Sequence, residues 1–204
     1  WLEAAIVELS QLEHVTLLPA TTVFGHYDQH FLGAVERVSE IRPNAPLRER
    51  FWKIRCQHLI LAAGAIERSI AFANNDRPGV MTASAVHEYI ERYAVLPGRQ
   101  AVVFTNNDAA YATAHSLHRA GAQVEIVDSR AQSGEQAQLA RQAGMAVHIN
   151  TQVSNTQGRL RVRSVELRHA DQRCERLPCD LLAVSGGWNP SVHLHSHARG
   201  SLQW

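Results

Sequence analysis

The chain has 204 residues, of which 45% are apolar and 19% charged, and its formal net charge is +1. That composition excludes a disordered or fibrous protein, and a charge near zero argues against an electrostatic nucleic-acid binder. No apolar run approaches the roughly 18 residues a membrane span needs, and three cysteines, Cys56, Cys174 and Cys179, make no disulfide framework and point to a reducing compartment.

Leu2, Ala5, Ile6 and Leu9 recur at helical spacing, so the chain reads as starting inside a helix. Residues 199–204 stop without a closing element, and both ends fit an internal fragment of a longer protein. Residues 15–18 read as a short buried strand. Residues 21–26, 31–38 and 50–56 read as three more strands, joined by Tyr27-Asp-Gln-His30 and by a turn with Pro43 and Pro46. Such a succession predicts an antiparallel meander. Leu59-Ile-Leu-Ala-Ala-Gly-Ala65 has the apolar pattern of a strand covered on both faces. Residues 69–80 read as irregular around Asn74-Asn-Asp-Arg-Pro-Gly79. Residues 81–93 place Ala85, Val86, Tyr89, Ile90 and Tyr93 on one helical face, and Leu96-Pro-Gly98 stops that helix.

Strand and helix then alternate. Residues 100–105, 124–128 and 145–149 read as strands separated by two helices. Asp108 is placed to cap the first helix, over 109–120, and Gly121 to end it. Ser133 and Gln136 form a capping box for the second, which ends at Gly144. This order predicts a parallel sheet. Residues 151–168 read as a hairpin turning at 155–158, and Leu181-Leu-Ala-Val184 as a buried strand ending at Ser-Gly-Gly187.

The turn after residues 101–104 carries the main chemical question. A dinucleotide fingerprint would put glycines at 105 and 107, where backbone must approach a pyrophosphate, and Gly or Ala at 110. The segment is Thr105-Asn-Asn-Asp-Ala-Ala110, and only Ala110 fits. Asp128 stands where an acid would hold a ribose hydroxyl. Two readings follow: a dinucleotide site with an unusual turn, or a Rossmann-type scaffold that has lost its ligand. Side chains at 105 and 107, and the charge of Asp108, favour the second. His193-Leu-His-Ser-His197 would put three imidazoles on one face of a strand, but it has no nearby carboxylate pair or Cys-x-x-Cys and predicts no metal site. Cys174 and Cys179 read as packing or surface thiols. Glu67-Arg68 reads as a surface or interdomain pair in preference to a cofactor contact. No Gly-x-Ser-x-Gly elbow is present.

Leu61-Ala-Ala-Gly-Ala-Ile-Glu-Arg68 resembles a motif of two-domain pyridine nucleotide–disulfide oxidoreductase-like flavoproteins. With Phe72-Ala-Asn-Asn-Asp-Arg-Pro-Gly-Val-Met81, Tyr93-Ala-Val-Leu-Pro-Gly98, Val102-Val-Phe-Thr-Asn-Asn-Asp108, Asp180-Leu-Leu-Ala-Val-Ser-Gly-Gly-Trp-Asn-Pro190 and His193-Leu-His-Ser196, the chain resembles the alpha subunits of heterotetrameric sarcosine oxidases, from about Thr21 to Ser196.

The resemblance implies an α/β fold of two interleaved Rossmann-like dinucleotide-binding domains, of FAD/NAD(P)-binding flavoprotein type, with the first incomplete here. Residues 1–72 would be the middle of the first domain, 73–180 the inserted second domain with a degenerate phosphate turn, and 181–204 the return. It implies NAD in the first domain, with Val23, Thr22 and Gly64 as cofactor contacts and no catalytic residue in the chain. The parent complex would be cytoplasmic, contain beta, gamma and delta subunits with FAD and covalent FMN, and demethylate sarcosine with oxygen and tetrahydrofolate. No nucleic-acid or membrane partner is implied, and the isolated fragment would be inactive and prone to self-association. Alternatives are a subunit of an FAD-dependent amine or opine dehydrogenase and a ligand-free interaction scaffold.

Overall fold

A computed structural model describes residues 1–132 and 134–203, so the cap expected at Ser133 lies outside the described residues. The chain divides into two compact units: Trp1–Gly64 with the residues from Pro190 onward, and Ala65–Asn189.

In the first unit, helix α1 (Leu2–Ser10) forms as its periodicity predicts, yet none of its residues is buried. Strands β1 (Thr21–Tyr27), β2 (Phe31–Glu36) and β3 (Arg50–Arg55) form the expected antiparallel meander in the order β1-β2-β3. β2 stops at Glu36, and Val38 opens a short helix, α2 (Val38–Ile41), in which it is buried. Two expected strands are absent. Residues 15–18 are irregular, and residues 59–64 form no strand, with Ile60 90% exposed. An apolar run becomes a strand only where a neighbour satisfies its N–H and C=O groups, and neither run has such a neighbour among the described residues.

The second unit holds β4 (Ala65–Glu67), β5 (Val80–Thr82), α3 (Ala83–Tyr93), β6 (Gln100–Thr105), α4 (Ala110–Arg119), β7 (Gln123–Asp128), α5 (Glu135–Gln142), β8 (Ala146–Ile149), β9 (Thr151–Gln157), β10 (Ser164–His169), β11 (Cys174–Pro178), β12 (Leu181–Ser185) and β13 (Trp188–Pro190). The chain then returns to the first unit through the short helix α6 (His193–His197). A parallel sheet runs in the order β5-β12-β6-β7-β8, an antiparallel sheet in the order β11-β10-β9, and β13 pairs with β4.

The parallel sheet is covered on both faces. Ala101, Val103, Val124, Ile126 and Ala183 pack with Val86, Ala114 and Leu117 of α3 and α4 and with Ala137 and Ala140 of α5. Val102, Phe104, Val127, Leu182 and Val184 pack against Val153, Val165, Leu167 and Leu177 of the antiparallel sheet. Alternate residues of one strand thus enter two cores, which is why these strands are apolar without interruption. Each fully buried Leu or Ile stabilises the fold by about 1.5–3 kcal/mol.

Several boundaries differ from the sequence reading. β12 lies between β5 and β6, with Leu182 opposite both Val80 and Val102, so the return to the first unit comes after Asn189 and not at residue 181. Met81 and Thr82 belong to β5, and α3 ends with Ala94 in the left-handed region (φ 52°), before Leu96-Pro-Gly98. α3 buries Ala83 and Val86, while Tyr89 and Tyr93 are exposed. The hairpin turns after Gln157, because Asn155 and Thr156 are paired in β9, and β11 adds a third strand. The helix stops at Gly121 and Gly144 are as expected: φ is +89° and +86°, and Ala122 and Met145 donate to the carbonyls of Leu117 and Ala140 at 3.0 and 3.1 Å. No helix among the described residues is long and apolar enough to cross a membrane.

The thiols differ in environment. Cys174 is exposed, Cys56 half-buried and Cys179 buried. Burial, with Asp180 beside it, pushes the Cys179 thiol up to about 12. A maleimide at pH about 8 is expected to label Cys174 first and Cys56 more slowly. Cys179, with a thiolate fraction of ~10⁻⁴, should react only after denaturant is added. Labelling of Cys179 in the folded chain at the Cys174 rate would contradict this placement.

Candidate nucleotide site

β6 delivers Thr105 to the carboxyl end of the parallel sheet, where Rossmann-type folds bind phosphates. The Thr105 hydroxyl accepts from the Asn107 amide at 3.0 Å and donates to the Asn107 carbonyl at 2.9 Å. The Asn107 side chain then closes the turn. Its Oδ1 accepts from the N–H of Ala109 at 3.0 Å, and its Nδ2 donates to the carbonyl and hydroxyl of Ser185 at 3.2 and 3.1 Å. Asn107 therefore ties the ends of β6 and β12 together and supplies the side-chain acceptor at the entry to α4. The expected cap from Asp108 is not made, because its carboxylate accepts instead from Arg130 at 2.7 Å. Ala110 is buried at the helix-packing position, as its place in the fingerprint implies.

Asp128, at the end of β7, is fully buried. Its Oδ1 accepts from the Arg130 backbone N–H and from Nε, both at 3.0 Å. Its Oδ2 accepts from the Tyr111 hydroxyl at 2.8 Å and from Arg130 Nη2 at 2.7 Å. Burial first, and then Asp128, push the Tyr111 hydroxyl well above the usual phenol range. The bond to Asp128 raises the Arg130 guanidinium further still above its ordinary range. A ribose could reach Asp128 only by displacing one of these partners, and a pyrophosphate would meet the Asn107 amide. The residues of the second unit do not fit a dinucleotide as they stand. A concavity of 520 Å³, lined in part by Gln100, Gln123, Gly144 and Pro178, opens at the amino ends of β6, β7 and β8, opposite the ligand end of such folds.

The cofactor contacts implied by resemblance lie in the first unit. Thr22 and Val23 are neighbours on β1, opposite Val35 and Ala34. β1 is an edge strand, so its outer backbone groups have no strand partner. Gly64 has φ +70° and open space where a side chain would sit, and its carbonyl accepts from the Ser191 N–H at 2.9 Å. No hydrogen bond joins Gly64 to Thr22 or Val23.

Glu67 and Arg68 do not pair with each other. Glu67 accepts from the Ser84 N–H at 2.7 Å at the start of α3, and Arg68 donates to the Gly186 carbonyl at 3.0 Å. The tract 193–197 is helical and not a strand, which turns His195 away from His193 and His197. Among the described residues no group of three metal-ligating side chains converges. Sequence reasoning missed Tyr111, Arg130 and Ser185. Arg130, two residues beyond a strand-end aspartate, carried a local signal; Tyr111 and Ser185 reach their partners only through the packing of α4 and β12.

A parallel sheet of strands alternating with helices, with its second face covered by an antiparallel sheet, defines a Rossmann-like α/β fold. The structure superposes on the NAD-dependent persulfide reductase of A. fulgidus with a TM-score of 0.68 at 15% identity, over 97% of this chain and 36% of that one. It superposes on bacillithiol disulfide reductase from Bacillus cereus with a TM-score of 0.63 at 13% identity, over 97% and 59%. At such identities the likeness establishes the fold. No protein-family model matches the chain. The sequence nevertheless goes further: it is 40% identical over 216 residues to the sarcosine oxidase alpha subunit of Corynebacterium sp. strain P-1, covering 100% of this chain and 22% of the relative. With the alpha subunit of Rhizobium meliloti it shares 40% over 206 residues, 97% of this chain and 20% of the relative. The chain matches, along essentially its whole length, a segment of sarcosine oxidase alpha subunits, and it spans about a fifth of their length.

The Asp128 cluster makes a sharp stability prediction. Arg130→Ala leaves a buried carboxylate without its cationic partner and is expected to cost about 3–5 kcal/mol. Tyr111→Phe removes one hydrogen bond and should cost about 1–3 kcal/mol. Urea unfolding of both variants checks the ranking, and an equal or reversed order would refute the assignment of Arg130 as the principal partner.

Proposed function

We propose that this chain is the NAD-binding, non-catalytic part of the alpha subunit of a sarcosine oxidase complex. The observation that carries the reading is the end-to-end match to sarcosine oxidase alpha subunits at 40% identity. The closed turn at Thr105–Ala110 and the fully partnered Asp128 support a scaffold role for the second unit. The edge strand β1, with Thr22 and Val23, and the open Gly64 support the first unit as the cofactor-holding part. In this reading, NAD supplies a bound nucleotide and these residues hold and orient it. The parent complex oxidatively demethylates sarcosine with oxygen, passes the one-carbon unit to tetrahydrofolate, and contains beta, gamma and delta subunits with FAD and covalent FMN. Its location is the cytoplasm.

The test is cofactor analysis of the full-length alpha subunit co-expressed with its neighbouring subunits. After denaturation, released NAD together with FAD and covalently retained FMN is the expected result. FAD without NAD would overturn the assignment in favour of an amine or opine dehydrogenase, with the Val23 backbone against a flavin's adenine. Absence of every nucleotide would leave only an interaction scaffold.

A further inference from the structure

We propose that helix α6 is held on β1 by the His26 and His197 imidazoles, with the His30 ring stacked on His26, and that protonation of His197 releases it. The proposal stands on hydrogen-bond geometry within the first unit. His26 is buried on β1, and its backbone N–H donates to Nδ1 of His197 at 3.1 Å. Its ring Nδ1 lies 3.2 Å from the Leu194 carbonyl, and His30 Nδ1 lies 3.4 Å from its Nε2. The turn between β1 and β2 puts Gln29 and His30 in the left-handed region, at φ 58° and 51°, and lays the His30 ring over His26 with centroids 5.7 Å apart. α6 has no buried residue, so its attachment rests heavily on the bonds from Leu194 and His197.

The three rings differ in what a proton does to them. A carbonyl only accepts, so His26 Nδ1 carries a hydrogen. His26 Nε2 can then accept from His30 or, once protonated, donate to it. That pair absorbs one proton without losing a bond. His197 has no such latitude, because a backbone N–H only donates. A hydrogen on His197 Nδ1 would face another hydrogen. Protonation of His197 at Nδ1 therefore removes the acceptor that the His26 N–H needs.

Several groups surround the His197 ring. Tyr27 meets the His197 ring edge-on with centroids 4.9 Å apart, and an aromatic ring attracts a cation and so works against release. His26 and His30 are the titratable rings that face it from β1 and the turn. His193 lies one turn earlier on α6, while His195 turns to the Ser201 carbonyl. Asp28 lies in the turn, and Cys56, just beyond β3, contacts the His30 carbonyl. Among the described residues, the histidines in ion pairs are His148 and His169, both outside this cluster. His197 is itself exposed, so its charged ring can swing into water.

Hydrogen exchange on the chain at about pH 8 and about pH 5, corrected for intrinsic exchange chemistry, tests the proposal. Protection at the His26 amide and across residues 193–199 should fall about fivefold or more on acidification, the value of one lost hydrogen bond. His197→Asn, whose amide oxygen accepts at either pH, should stay protected at both. His197→Phe, which cannot accept, should be unprotected at both. Unchanged wild-type protection between the two pH values would overturn the proposal, as would an equal loss in His197→Asn. Protection at Ala34, within the meander, monitors the unit itself. If it falls in parallel, the whole unit is opening and the imidazoles are not a specific release.

Discussion

The organisation of the second unit follows from one constraint: parallel strands that are apolar on both sides must be covered on both sides. Val102 and Phe104 enter one core, and Ala101 and Val103 enter the other. Helices α3, α4 and α5 meet the second demand, and the antiparallel sheet β9–β11 meets the first. Insertion of β12 beside β6 completes the sheet and brings Ser185 to the end of the strand that carries Thr105. The geometry of the candidate site is thus a by-product of how the sheet is closed.

That site shows how a nucleotide fold can satisfy itself. The polar groups at its ligand end still need partners, because a buried donor or acceptor left alone is costly. Asn107 meets Ser185, Tyr111 meets Asp128, and Arg130 bridges Asp128 and Asp108. No described buried side-chain polar atom is left without a hydrogen bond. A ribose or pyrophosphate entering there would first have to break these bonds. Asp128, which stands where an acid would hold a ribose hydroxyl, and Asp108 instead hold an arginine.

The first unit is organised differently. Its meander buries Leu32 and Ala34 but leaves Phe24 and Phe51 about half exposed, with their rings 5.5 Å apart. Polar bonds at the strand edge therefore matter more there, which is where His26 and His197 meet. The same open edge of β1 is where α6 depends on one ring, that of His197.

Much of this was legible in the residues alone. Strand 100–105, the glycine stops at 121 and 144, and the three-strand meander are local, written in periodicity, turn chemistry and backbone freedom. The closed character of the 105–110 turn was legible too, since side chains where a fingerprint needs glycine cannot be hidden. Which side chain would cap α4 was not, because Asp108 and Asn107 are equally good local candidates and the choice belongs to Arg130. The residues at 59–64 have the composition of a buried strand, but a strand needs a neighbour that its own residues do not specify. The sequence by itself determined helices α1, α3, α4 and α5, the meander, strands β6, β7, β8 and β12 and the substituted phosphate turn, because those depend on interactions within a few residues. Only the tertiary structure decided the placing of β12, the partners of Asp128 and the meeting of His26 with His197, because each joins residues far apart in the chain.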